Sequence, residues 1–173
     1  GDSGYLTTNS TKIAKLIKDV RNHGMTNRNR IKNFGYVSRM DNLQAAVLLI
    51  KLKNYNEAVN MRQKAAESYH KILHGLIEKP VVKSYNTSVW AQYSIRIPSR
   101  DLIKSKLKEQ GIPTAVYYPK PLHLQKCFEY LNYKTGDFLV SEKTAKEIIS
   151  LPINPYITEV EQEFIVEELK KCL

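Results

Sequence analysis

The chain has 173 residues, 42% of them hydrophobic and 25% charged, and a formal net charge of +10 at pH 7. That is the composition of an ordinary globular protein, long enough for one domain with a good core or for two small lobes. It excludes disordered, fibrous and disulfide-built classes. The two cysteines, Cys127 and Cys172, are too few for a framework of bridges or a zinc site, and free thiols in a cytoplasmic protein are expected.

The longest apolar run, residues 45–50, is far too short to cross a bilayer. The opening GDSGYLTTNS has neither the basic start nor the apolar middle of a secretory signal. No membrane association is expected. His70 and His74 are spaced for one helix face, but no Glu follows His70 and no third ligand is near, so no metal is expected. The positive charge is uneven. Residues 1–87 hold 15 basic against 6 acidic side chains, and residues 88–173 hold 12 against 11.

In chain order, the glycine turn at residues 1–4 leads into a predicted strand at residues 5–8, rich in β-formers. Asn9 or Ser10 can cap a helix in which Ile13, Leu16, Ile17 and Val20 recur at helical spacing, and Gly24 stops it. Residues 25–34 are polar, without an apolar period, and read as a loop. From Asp41 a helical pattern runs to His74, where Gly75 ends it, with a break at residues 54–56; a helix of that length commonly joins two lobes.

Residues 90–97 alternate as a strand. Ser99 caps a helix through Gln110 that Gly111 ends, and residues 114–118 read as the next strand, a βαβ-like unit. In such a strand one of Tyr117 and Tyr118 would face the core. Pro119 and Pro121 impose a loop at residues 118–125, a helix covers residues 141–148, and residues 149–151 add an edge strand. Thr158 and Glu161 form a capping box for the last helix.

Residues 35–46, GYVSRMDNLQAA, are the most informative segment. Arg39 stands two residues before Asp41, a predicted N-cap, and Gln44 occupies the capping-box position. A cation beside a helix start is a landing place for phosphate or carboxylate. The alternative is that Arg39 only pairs with a surface carboxylate. Between residues 12 and 39 lie eight basic side chains and one acid, Asp19, which would attract a polyanion such as a nucleotide diphosphate or nucleic acid. No interleaved aromatics or recognition fold accompany them, so nucleic acid is not the expected partner. The sequence shows no nucleophile with an adjacent base, no paired catalytic carboxylates and no Walker or dinucleotide glycine loop.

Six blocks occur in order: GDSGYLTTN, RNHG, GYVSRMDNLQAA, SVWAQYSIR, GIPTAVYYPKPLHLQ and GDFLVSEKTAKEIISLPINPYIT. Together they resemble the carboxy-terminal portion of nucleotide-sugar aminotransferases of the DegT/DnrJ/StrS family. The resemblance implies an α/β fold: the end of a fold type I large domain, a long connecting helix and a small α+β carboxy-terminal domain, at residues 1–53, 54–87 and 88–173. It implies pyridoxal 5'-phosphate, a UDP-linked keto sugar, an amino-acid donor and a homodimer with sites between subunits, serving surface polysaccharide synthesis.

In the family the cofactor lysine, the aspartate on the pyridine nitrogen and the stacking aromatic precede the GDGG-like turn, here residues 1–4. The chain alone is therefore expected to hold no catalytic residue and to be inactive. Its contribution would be the half of a site lent to the neighbouring subunit. Arg39 matches the family's substrate-side arginine. Val37 stands where an asparagine often reaches the cofactor phosphate, and since valine has no side-chain donor, Ser38 or a backbone N–H must replace it. Tyr117 and Tyr118 match a pair near the sugar that is often His-Tyr, and His123 is a further substrate-side residue. The alternative function is a non-catalytic basic binding or regulatory module.

Overall fold

The computed structural model describes residues 4–173. The GDSG turn therefore falls largely outside the described residues. The chain divides into two compact units, Gly1–Tyr55 and Asn56–Leu173.

In the first unit, helix α1 (Thr11–Val20) begins where expected, with Ser10 Oγ accepting from the Ile13 N–H. The strand predicted at residues 5–8 does not form. Tyr5 and Leu6 are exposed, and the segment has no ladder partner among the described residues. The expected loop at residues 25–34 instead contains a small hairpin, β1 (Met25–Asn27) antiparallel to β2 (Arg30–Ile31). Asn29 makes its turn possible at φ 73°, since asparagine tolerates the left-handed region better than most residues.

Helix α2 (Asn42–Lys53) follows, but the Asp41 side chain makes no cap hydrogen bond, so Asp41 marks the boundary without capping it. No residue of α2 is buried, and Leu43, Leu49, Ile50 and Leu52 are largely exposed.

The second unit opens at the predicted break, where Asn54 separates α2 from α3 (Tyr55–Ile72). The α3 helix supplies Ala66 and Tyr69, with Leu73 just beyond its end, to the unit's core. Strand β3 (Tyr93–Arg96) pairs antiparallel with β4 (Ile148–Leu151). The predicted strand at residues 114–118 reduces to one bridge, Ala115 to Ser150. Because β3 and Ala115 both run antiparallel to β4, they flank it, and β4 is central rather than the expected edge strand. A second bridge, Glu78 to Arg96, extends the outer side of β3.

Tyr93, Ile95, Ile149 and Leu151 share one sheet face and meet Ile103 and Leu107 of α4 (Arg100–Glu109) and Ile165, Val166 and Leu169 of α6 (Glu159–Lys170). Ser94, Arg96 and Ser150 share the other face, where Arg96 donates to Thr144 of α5 (Leu139–Glu147) and the Ser94 and Ser150 hydroxyls lie 2.8 Å apart. Burial holds the Tyr69 and Tyr93 phenols well above the usual tyrosine range, and the Tyr69 hydroxyl donates to Pro152 O at 2.9 Å.

Ser99 precedes α4 as predicted, yet in the left-handed conformation with no side-chain cap. The Thr158–Glu161 capping box on α6 forms in full. Among the described residues no helix is long and apolar enough to cross a membrane, and no group of His, Cys, Asp and Glu could hold a metal.

Candidate functional site

Two segments of the first unit, RNHG and GYVSR, cross with almost no space between their backbones. A Cβ at Gly24 would lie 1.8 Å from Asn33 O, and one at Gly35 would lie 2.0 Å from Gly24 N. Only glycine permits that approach, and Gly24 also sits at φ +72°. The crossing lets the second segment close the end of α1. Tyr36 N–H donates to Val20 O at 2.8 Å, Ser38 N–H to Arg21 O at 3.0 Å, and His23 N–H to Tyr36 O at 3.0 Å. Carbonyls that a helix end leaves without partners are thus satisfied by a neighbouring strand.

This ladder ends one residue short of Arg39. Val37, Ser38 and Arg39 are exposed together, and all five ion pairs among the described residues belong to the second unit. Arg39 has no carboxylate partner among them, contrary to the alternative weighed from its spacing.

The Ser38 N–H is committed to the ladder, but its hydroxyl is not, and the Val37 N–H takes no part in the Asn22–Val37 bridge. A hydroxyl, a backbone N–H and a guanidinium on one short stretch are a donor set that fits a phosphate or a carboxylate. Valine at position 37 therefore does not empty the segment of donors.

In the second unit neither Tyr117 nor Tyr118 faces the core, since the strand does not extend beyond the Ala115 bridge; they are 53% and 72% exposed. Tyr117 lines a cleft of about 250 Å³ with Gln92, Ser150 and Asn154. Tyr118 lines a second cleft of about 360 Å³ whose far wall is α5. Gln92 and Asn154 carried no sequence signal beyond being polar residues near strand ends.

His123 is placed differently from its neighbours. Its side chain is 8% exposed and bonds Glu142 Oε1 at 3.2 Å, with Phe138 against the ring at 4.7 Å between centroids. Glu142 was not foreseen, because an acid in the first turn of a helix reads simply as a complement to its dipole. Arg100 was likewise missed. It is buried and donates to Ala145 O and Ile148 O, fixing the α5–β4 junction behind the clefts.

The Gly136 and Phe138 N–H groups and His123 hold the Glu142 carboxyl below the usual glutamate range, against the opposing effect of burial. A carboxylate whose folded pKa is depressed stabilises the fold above its unfolded value, and that contribution is lost as pH falls through the folded one. Loosening of residues 133–138 is thus expected only below the ordinary glutamate value of 4.5. Amide exchange followed against pH should show the transition in the wild type and its absence in Glu142→Gln.

The chain matches the DegT/DnrJ/EryC1/StrS aminotransferase family over residues 1–170. It is 39% identical to a pleiotropic regulatory protein of Geobacillus stearothermophilus, over 98% of this chain and 46% of that one. It is 38% identical to the UDP-2-acetamido-2-deoxy-3-oxo-D-glucuronate aminotransferase of Pseudomonas aeruginosa, over 91% of this chain and 43% of the relative. A solved DegT DnrJ EryC1 StrS aminotransferase from Brucella abortus superposes with a TM-score of 0.86 at 35% identity, over 95% of this chain and 44% of that structure. The chain spans less than half the length of these relatives.

Proposed function

The chain belongs to the DegT/DnrJ/EryC1/StrS aminotransferase family, and from that premise we propose that it is the carboxy-terminal part of an enzyme that aminates a keto group of a UDP-linked sugar. Its fold is that of the fold type I aminotransferases, and the family implies pyridoxal 5'-phosphate. That group, when bound, supplies the electron sink through which an amino group moves between an amino acid and a keto carbon.

The observation that carries the reading is the exposed Val37–Ser38–Arg39 donor set on the Gly24–Gly35 crossing. Val37 N–H and the Ser38 hydroxyl would hold the cofactor phosphate in the neighbouring subunit of a homodimer. Arg39 would take the substrate's diphosphate or uronate carboxylate, a group its fork-shaped guanidinium can bind through two parallel bonds. Tyr117 and Tyr118 would flank the sugar and exclude water. The UDP preference is supported by the relative named for a UDP-linked 3-oxo sugar. A cytoplasmic role in surface polysaccharide synthesis accords with a nucleotide-linked sugar substrate.

The test is a titration of the chain with UDP-N-acetylglucosamine in competition with a short DNA duplex. Saturable binding indifferent to the duplex supports the reading. DNA binding that weakens steeply with salt and ignores the UDP-sugar would overturn it in favour of a basic binding module.

A further inference from the structure

Glu142 has more partners than an acid in the first turn of a helix needs. Its Oε1 accepts from Gly136 N–H at 2.8 Å, from Phe138 N–H at 3.3 Å and from His123 Nε2 at 3.2 Å, with the His123 and Glu142 side chains 8% and 9% exposed. Phe138, already against the His123 ring, also meets Tyr133 edge to face at 5.0 Å. One carboxylate thus joins α5, residues 133–138 and the proline loop at residues 119–125.

That loop begins directly after Tyr118. Its other hydrogen bonds are local: Leu124 N–H to Pro121 O, Gln125 N–H to Leu122 O, the Gln125 amide to Lys120 O and Phe128 N–H to Gln125 O. Among the described residues, His123–Glu142 is the only hydrogen bond tying residues 119–125 to an α-helix or strand. The Phe138 ring packs on His123 at the same point, while Tyr118, Pro121 and Leu122 line the cleft of about 360 Å³ with Thr144 and Ala145 of α5. A loop held at one buried point moves when that point is released.

We propose that Glu142 is a positioning residue that, acting through His123, sets where Tyr117 and Tyr118 stand. This rests on the functional reading only in that those tyrosines face the sugar. The clasp itself is a property of the folded unit.

The test compares His123→Ala, His123→Gln and Glu142→Gln with the wild type by amide exchange and by titration with UDP-N-acetylglucosamine. In His123→Ala, exchange at the hydrogen-bonded Leu124 and Gln125 amides should rise about tenfold, the ratio for one lost hydrogen bond to a charged group. The β3 and β4 amides should be unchanged, and the probe should bind about tenfold more weakly. Glutamine at position 123 keeps an N–H donor within reach of Glu142 and should restore both. Glu142→Gln keeps a neutral acceptor for the two backbone amides and for His123, so it should weaken the probe less than His123→Ala does, with little loosening of residues 136–138.

Wild-type loop exchange in His123→Ala would overturn the proposal. So would loosening that spreads equally to β3 and β4, or a loosened loop with unchanged probe affinity. A wild-type chain that ignores the probe counts against the sugar reading, not against the clasp, which the exchange rates decide.

Discussion

Alanine at Gly35 is expected to dismantle the crossing that presents Arg39 while leaving the second unit folded. The added methyl would sit 2.0 Å from Gly24 N, 2.5 Å from His23 C and 2.6 Å from Val20 O. All three are backbone atoms, so no side chain can swing aside, and the two segments must part. Overpacking of this kind costs up to about 3 kcal/mol even where side chains can yield. Parting the segments also releases the Tyr36 and Ser38 N–H groups from the end of α1.

The readout is amide exchange at His23, Tyr36 and Ser38, which should accelerate by roughly a hundredfold for a loss of about 3 kcal/mol. Gly24→Ala should be worse, since φ +72° adds a left-handed penalty to a contact of 1.8 Å with Asn33 O. Gly75→Ala is the control. Gly75 has φ +75° and nothing within 4 Å of the added Cβ, so only the backbone penalty of about 1 kcal/mol is expected there. Unchanged protection in Gly35→Ala would mean that the crossing does not hold the motif.

What could be read in the sequence follows from how local each determinant is. The α1 start rests on Ser10 bonding three residues ahead, and the α6 start on Thr158 and Glu161 bonding each other. Both are complete within one turn, and both were legible. The ends at Gly24, Gly75 and Gly111 were legible for the same reason, each at positive φ.

Elements defined by a remote partner were not. Residues 114–118 have β-formers, but only Ala115 finds a partner on β4 before Pro119. The hairpin at residues 25–31 has no apolar alternation, and its one local signal is Asn29 at the turn. Site residues divide in the same way. Arg39 stood out from its motif alone, whereas Glu142 becomes visible only once His123 and Gly136 have been folded against it. Gly24 and Gly35 were each visible as helix stop and motif start, but nothing in one dimension shows that they touch.

Replacing Arg39 by alanine is expected to be the substitution within these 173 residues that most weakens the activity of the enzyme they belong to, without a loss of fold. Arg39 is exposed and makes no ion pair among the described residues, so its removal leaves no buried partner and no cavity. The loss falls on the ligand instead. A charge pair closed over by bound substrate costs roughly 2–5 kcal/mol when one partner is truncated, or about thirtyfold to several thousandfold in kcat/KM. Lysine should recover only part of it, because a point charge cannot reproduce two parallel bonds to a carboxylate or diphosphate.

The division of labour within the motif gives the sharper test. If Arg39 serves the sugar and Ser38 the cofactor phosphate, Arg39→Ala should raise KM for the nucleotide sugar and leave the affinity for pyridoxal phosphate unchanged. Ser38→Ala should do the reverse. Equal losses of cofactor affinity in both variants would place Arg39 on the phosphate, and the substrate role would pass to Tyr117 and Tyr118 alone.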